Sequence, residues 1–293
     1  MKIYKRLSAP YMTWAILFVI IPMAMILYYA LTDDSGAISL INFHVFFSGN
    51  SLITLFKSIR IAIISTVICF LLGYPTAYFM ARSHWRFRPV LMMLIVIPMW
   101  MNFLLRTYSW ITLLSRHGIL NTFLESLGIP AWDLLYTEGA VILGMVYNFL
   151  PFMVLPIYTS LEKMDKRLLE AASDLGASRL RVFTNITLPL SVPGILSGLS
   201  MVFIPAISTF EITMLLGGNK TNLIGNVIEQ QFTVTGNWNY GSSMAVILMI
   251  FLIISLFFSS GTETKDPQSM TLADDIDGDV PDETEEADHV EMD

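Results

Sequence analysis

Long apolar runs separated by short polar segments are the dominant pattern along this chain. A helix needs about 20 apolar residues to cross the hydrocarbon core of a membrane, and six runs reach that length. Because lipid offers no hydrogen-bond partners to the backbone, each run is predicted to be a helix. The predicted spans are residues 13–31, 59–80, 90–114, 139–158, 195–216 and 241–258. The pattern predicts an all-α, polytopic membrane protein with six transmembrane helices.

Composition supports this class and sets the end of the chain apart. Hydrophobic residues make up 54% of the 293 residues and charged residues 14%. Since soluble domains are about one quarter charged, these values argue against a soluble enzyme and against a fully disordered chain. Residues 261–293 hold 13 acidic residues and one lysine, and they are predicted to form a disordered, acidic cytoplasmic tail. A regulatory role for this tail is the alternative.

Lysine and arginine residues are shared unevenly between the predicted loops. If the N-terminus is cytoplasmic, the cytoplasmic segments hold 12 of the 17 basic residues. Cytoplasmic loops of membrane proteins carry such an excess. We therefore expect both termini to lie in the cytoplasm, with the long loop between spans four and five on the same side.

That loop, residues 161–194, has the pattern of two short helices. Asp165 can cap the start of the first helix. Leu168, Ala172 and Leu175 then recur at helical spacing and form one apolar stripe. Gly176 lies where a left-handed residue would end this helix, and a second helical stretch begins at Ser178. Such a stripe can dock on a partner or lie on anionic lipid, and periodicity alone leaves both open.

The loop contains Glu170-Ala171-Ala172, then Gly176 after three residues, Ile186 after nine more and Leu188-Pro189 after one more. This spacing resembles the EAA loop of ABC importer permeases. The resemblance implies a type I importer transmembrane domain at residues 59–260, in which this loop forms a coupling helix that sits in a groove of a cytoplasmic ATPase. Residues 1–58 would add an accessory helix that packs on a partner permease. The residues expected to couple to the ATPase are Glu170, Ala171, Ala172, Asp174, Gly176, Ile186, Leu188 and Pro189.

The chain lacks the elements of an ATPase or a metalloenzyme. A phosphate-binding loop needs glycine, four residues and then Gly-Lys-Ser/Thr. In the nearest match Asn219 separates Gly218 from Lys220, so ATP hydrolysis is expected from a partner subunit and this chain is not expected to be an enzyme. A single cysteine, Cys69, excludes a disulfide framework, and the four histidines are dispersed. We therefore expect no metal and no cofactor.

Arg106 and Glu211 lie well inside predicted spans, where charges are costly and usually functional. Glu211 could face the pathway and attract a cationic solute, or it could form an internal ion pair with Arg106. Polar and aromatic residues accompany the two charges. They could line a path for an amine cation through their ring faces or serve as interfacial anchors. These residues are Trp100, Asn102, Tyr108, Tyr147 and Asn148.

Three further stretches resemble the B-type permease subunit of spermidine/putrescine importers. They are residues 97–114, 203–218 and 229–249. The resemblance implies a heterodimer with a second permease, two copies of a cytoplasmic ABC ATPase and an external solute-binding protein, in the inner membrane of a bacterium. Membrane lipid is an expected partner and nucleic acid is not. Permeases for ferric iron or phosphonate, and a secondary transporter, remain alternatives.

Overall fold

The computed structural model describes residues 9–33, 35–83 and 86–260, and the regular elements of this part are helices. The predicted acidic tail lies outside the described residues. In chain order the helices are α1 (Pro10–Ala30), α2 (Ile41–Ser48), α3 (Asn50–Arg82), α4 (Arg88–Trp100), α5 (Phe103–Leu114), α6 (Ile119–Ser126), α7 (Glu138–Glu162), α8 (Lys166–Asp174), α9 (Arg179–Leu190), α10 (Val192–Ser208), α11 (Ile224–Gln230) and α12 (Trp238–Ser260).

Four of these helices, α1, α3, α7 and α12, are long and apolar enough to cross a membrane unaided. Two more spans are possible if bent pairs are counted as one each. The helix α4 meets the stretch Phe103–Ser126 at 93°, and α9 meets α10 at 60°. The described chain is therefore a polytopic membrane protein with up to six spans, which agrees with the sequence-based prediction.

The third predicted span is broken, and the break lies before Arg106. Pro98 removes one amide from the end of α4, and Asn102 then adopts a non-helical backbone. The Asn102 side chain accepts hydrogen bonds from the amides of Leu104 at 2.9 Å and Leu105 at 3.2 Å. This is an N-terminal cap, so a new helix starts here in a new direction.

The fifth predicted span, residues 195–216, extends further at its C-terminal end than the helix in the structure. The helix α10 ends at Ser208, and Thr209 is extended. The side-chain amide of Asn226 donates to the carbonyl oxygen of Phe210 at 3.0 Å, beside the amide of Met214 at 2.8 Å. Gly225 of α11 packs so closely that an added Cβ would lie 2.5 Å from the carbonyl oxygen of Ser208. Glu211 therefore lies after the end of α10, at the start of a separate helical segment. That segment continues through Thr213–Gly217.

The core forms where α3, α7 and α10 pack against one another. Met153 of α7 is fully buried between two glycines. A Cβ on Gly73 of α3 would lie 2.8 Å from Met153 Cγ, and one on Gly198 of α10 would lie 3.0 Å from Met153 Sδ. Small residues at these two positions allow the helix backbones to approach closely, as is common between membrane helices.

The helix α1 packs mainly on α12 and stays apart from this core. Ala30, at its end, is buried, while most of its apolar side chains are exposed. The prediction that residues 1–58 form an accessory unit stays a prediction.

Candidate coupling loop and translocation site

The loop between α7 and α10 folds as two capped helices, as its sequence predicts. The carboxylate of Asp165 accepts a hydrogen bond from the amide of Arg167 at 2.9 Å and starts α8. Gly176 ends that segment with φ +82°, a left-handed conformation that favours glycine. The hydroxyl of Ser178 then accepts from the amide of Arg181 at 3.4 Å at the start of α9. Local capping therefore fixes both helices and the turn between them.

Apolar side chains of this loop are exposed on the described chain. In the predicted stripe Leu168 is 50% exposed and Leu175 is 89% exposed, and Leu180, beyond Gly176, is 72% exposed. Exposed apolar side chains grouped in one loop are typical of an interaction site. Glu170 and Ala171 are also exposed, and Ala172 is half-buried.

The opposite side of the loop closes over a cavity of about 540 Å³. Glu170 and Asp174 line it from α8, and Arg179 lines it from α9. Arg82 and Arg88 line it from the ends of the membrane helices. With Glu162 of α7, six charged side chains from the loop and the helix ends thus line one cavity.

Arg88 joins three helix ends at the floor of this cavity. Its guanidinium donates to the carbonyl oxygens of Ala81 at 2.6 Å and Ser83 at 3.1 Å. It also lies 3.6 Å from the carboxylate of Glu162, which accepts a hydrogen bond from Tyr158 at 2.8 Å. The end of α3, the start of α4 and the end of α7 are therefore held together beside the loop.

Aromatic contacts hold α9 to α3. The ring of Phe183 packs edge-on against Tyr74 at 5.9 Å and Tyr78 at 5.5 Å between centroids. The hydroxyl of Tyr74 lies 3.1 Å from the hydroxyl of Ser191, between α9 and α10. Of the other predicted coupling residues, Ile186 and Leu188 are half-buried and Pro189 is exposed. Phe183 therefore connects α9 to α3 by direct packing.

Arg106 and Tyr147 come together at the bend between α4 and α5. Arg106 is 8% exposed, and its guanidinium carbon lies 5.7 Å from the centre of the Tyr147 ring. Its Nη1 donates to the carbonyl oxygen of Pro98 at 2.6 Å, while its Nε is buried without an acceptor. Tyr147 also packs edge-on against Trp110 at 5.3 Å. These residues form a second polar cluster within the bundle.

Glu211 lies apart from this cluster and is half-buried. The ion pairs among the described residues do not include it; they are Lys57 and Arg60 with Glu138, Arg88 with Glu162, and Arg116 with Asp133. The ion pair considered for Arg106 and Glu211 is therefore not formed in this structure.

The remaining predicted pathway residues divide into exposed and structural positions. Trp100 and Tyr108 are exposed, and Asn102 caps α5. Asn148 is buried and donates to the carbonyl oxygen of Gly144 at 2.8 Å, with its own side-chain oxygen unpartnered. Among the described residues, no group of His, Cys, Asp or Glu side chains could hold a metal ion.

Two polar contacts were not anticipated from the sequence. Glu138 pairs with Lys57 at 3.2 Å and with Arg60 at 2.5 Å, which ties the start of α3 to the start of α7. Arg88, at the start of α4, pairs with Glu162 near the other ends of α3 and α7. Opposite charges at matching ends of parallel neighbouring spans were the signal that could have indicated both.

The described chain is a helical membrane subunit that presents a capped two-helix loop beside its bundle. Residues 73–262 match the family model of the binding-protein-dependent transport system inner membrane component. The chain belongs to this family, whose members are membrane components of transporters that use a separate ATPase, and it is not itself an enzyme.

Curated relatives cover most of the chain. The spermidine/putrescine transport system permease protein PotB of Haemophilus influenzae is 39% identical over 264 residues, covering 87% of this chain and 92% of the relative. PotB of Escherichia coli is 40% identical over 251 residues, covering 83% and 91%. The inner membrane ABC transporter permease protein YdcU of E. coli is 28% identical over 235 residues, covering 75% of each.

Solved structures share the fold at low identity. A bacterial ABC transporter that imports the acidic polysaccharide alginate matches with a TM-score of 0.73 and 18% identity, over 89% of this chain and 96% of the other. The MetNI methionine ABC transporter in an inward-facing conformation matches with a TM-score of 0.54, over 71% and 92%.

Proposed function

We propose that this chain is one of two permease subunits of an ATP-driven importer that carries spermidine or putrescine into the bacterial cytoplasm. The observation that carries the substrate assignment is the similarity to the two PotB proteins, at 39% and 40% identity over more than four fifths of the chain. The solved alginate transporter shares the fold, but its 18% identity gives no support for its own substrate here.

The coupling loop supports the proposed mechanism. Its exposed leucines offer an apolar surface on which a cytoplasmic ATPase would dock, and Phe183 of the same loop packs on α3. Closure of an ATPase dimer would therefore move the loop and the attached helix ends as one body. Transitions of this type are rigid-body changes between two discrete packings. The transporter would contain this chain, a second permease, two ATPase copies and an external solute-binding protein.

The distribution of basic residues supports the proposed orientation. Most of the lysine and arginine residues fall on the side of the loop when the N-terminus is placed in the cytoplasm. In that orientation the loop and both termini are cytoplasmic. The opposite ends of α3 and α7, joined through Glu138, then face the binding protein.

A reconstituted transport assay tests the substrate and the coupling together. The chain, a second permease and the ATPase are placed in liposomes with ATP inside, and labelled spermidine is supplied outside with its binding protein. We expect ATP-dependent uptake that unlabelled putrescine competes for. Uptake of ferric iron or phosphonate in place of the amine would contradict the proposed polyamine substrate. Uptake by this chain alone would contradict the proposed complex with a second permease and an ATPase.

A single substitution separates coupling from substrate choice. Glu170→Gln removes a charge that lines the cavity under the loop, and we expect it to lower uptake while spermidine remains the preferred solute. The matched control is Glu125→Gln, which changes an exposed glutamate on α6 and should leave uptake unchanged. Equal uptake by both variants would count against the proposed role of Glu170.

A further inference from the structure

A second cavity opens on the side of the bundle opposite the coupling loop. Its volume is about 620 Å³, and it lies where α1 ends and α12 begins. Its walls also include the turn after α1 and the segment that leads into α12. Among the described residues that line it, Asp33 carries the only charge. The cavity is separate from the Arg106 cluster and from Glu211.

Aromatic rings form one wall of this cavity. The ring of Trp238 packs against Tyr29 at 6.0 Å and against Phe232 at 5.4 Å between centroids. Tyr28 packs edge-on against Tyr29 at 5.7 Å. Trp238 and Tyr28 still remain 53% and 60% exposed, so part of each ring is accessible from the cavity. The faces of such rings attract ammonium and guanidinium cations.

A carboxylate stands beside the rings. Asp33 Oδ1 accepts hydrogen bonds from the hydroxyl of Ser35 at 2.6 Å, the amide of Ser35 at 2.9 Å and the amide of Ala37 at 3.0 Å. The hydrogen bond from the Ser35 side chain is the main cause that lowers the pKa of this carboxyl below its ordinary value, so it is ionised at neutral pH. These bonds all fall on Oδ1, which leaves Oδ2 for a ligand.

Hydrogen bonds hold the turn after α1 against the start of α12, on the two sides of the cavity. The carbonyl oxygen of Thr32 accepts hydrogen bonds from the side-chain amides of Asn42 at 3.0 Å and Asn239 at 3.1 Å. Gly236, with φ +68°, makes the turn that brings Trp238 to the cavity. The carboxylate and the rings are therefore positioned without a ligand, as is usual in small-molecule sites.

We propose that this cavity binds the primary ammonium group of an organic amine, between the rings of Tyr28 and Trp238 and the carboxylate of Asp33. The ring faces supply a cation–π interaction, and Asp33 Oδ2 accepts a charge-assisted hydrogen bond. A free polyamine and the ethanolamine headgroup of a lipid both offer this group. The inference rests on the proposed function, which places the cavity on the external face and supplies polyamine there.

Photolabelling tests the site directly. The complete transporter is reconstituted in nanodiscs of phosphatidylglycerol, and the probe is a diazirine derivative of spermidine. We expect label on peptides that contain residues 28–33 and 236–239. Asp33→Asn and Trp238→Leu should each lower this labelling about two- to fivefold. Asp133→Asn and Trp132→Leu, which lie on the same side of the bundle but outside the cavity, should leave the labelling unchanged.

A second lipid composition separates the two sources of the ammonium group. If phosphatidylethanolamine in the nanodisc lowers the labelling, the lipid headgroup occupies the cavity; if it does not, the free amine does. Absence of label on both peptides, or equal labelling of Asp33→Asn and Asp133→Asn, overturns the site. Spermidine uptake with an unlabelled cavity would contradict this inference alone, whereas a labelled cavity without uptake would contradict the proposed function alone.

Discussion

The guanidinium of Arg106 donates to the carbonyl oxygen of Pro98 across the break between α4 and α5, with 2.6 Å between Nη1 and the oxygen. In a continuous helix this carbonyl would accept from the amide of residue 102. The backbone turns away after Trp100, so this carbonyl accepts from the amide of Met101 at 3.3 Å and from the side chain of Arg106 instead. The 93° bend is thus closed by a side chain from the second helix onto the first.

Replacing Arg106 should loosen this bend. In Arg106→Ala the carbonyl of Pro98 loses its charged donor and keeps only the amide of Met101, and we expect the protein to lose about 1–3 kcal/mol of stability. Thermal unfolding of the purified chain in detergent measures this loss. The matched control is Arg116→Ala, which removes an exposed arginine 3.7 Å from Asp133 and should cost about 0–1 kcal/mol. An equal shift for the two variants would contradict the role of Arg106.

Larger residues beside Met153 should disturb the packing of α3, α7 and α10. In Gly73→Ala the new Cβ would lie 2.8 Å from Met153 Cγ, a contact that forces the side chain or a helix to move. Overpacking of this kind costs about 1–3 kcal/mol, measured by thermal unfolding. Gly139→Ala is the control, because its nearest neighbour would lie at an ordinary 3.6 Å. A Gly73→Ala protein as stable as the control would show that the helices are not in close contact here.

Phe183 should transmit movement between the coupling loop and the bundle. In Phe183→Ala the two edge-on contacts to Tyr74 and Tyr78 are lost. We expect ATP hydrolysis to continue while uptake per ATP falls, because the loop moves without α3. Comparison of ATPase and uptake rates in the same liposomes measures this ratio. Phe123→Ala, on the exposed α6, is the control; an unchanged ratio for Phe183→Ala would rule out this transmission.

Glu211 is still predicted to face the pathway and to attract a cationic solute through its carboxylate. It is half-buried and has no ion-pair partner among the described residues, so its charge is available to a solute. Glu211→Gln should therefore raise the apparent KM for spermidine uptake. Glu229→Gln, a second glutamate of the segment between α10 and α12, serves as the comparison. Unchanged uptake and unchanged substrate preference in Glu211→Gln would exclude a role in the pathway.

The sequence predicts features that depend on local chemistry. Apolar runs of membrane length predict the spans, and the helix-capping residues Asp165 and Ser178, with Gly176 between them, predict the two helices of the loop. The breaks in the third and fifth spans are harder to place, because proline is tolerated within membrane helices. Pro98 ends a helix here, whereas Pro75 and Pro151 lie inside continuous helices.

Contacts between distant residues could not be predicted from local patterns. Phe183 and Tyr78 are separated by more than one hundred residues, and the local sequence around either residue does not indicate that the two are in contact. The same holds for Arg88 and Glu162, which pair only because α4 starts where α3 and α7 end. The alternative that paired Arg106 with Glu211 assumed two complete helices, and the end of α10 at Ser208 removes that assumption.

The most direct test of the account is a comparison of two glycines. Gly176 in the coupling loop has φ +82° and Gly128 after α6 has φ +79°, and a Cβ on either would meet nothing within 4 Å. Valine at either site carries the same backbone strain, about 1–2 kcal/mol. We predict that Gly176→Val abolishes ATP-driven spermidine uptake in the reconstituted transporter while Gly128→Val preserves it. Equal uptake by the two variants would contradict coupling through this loop.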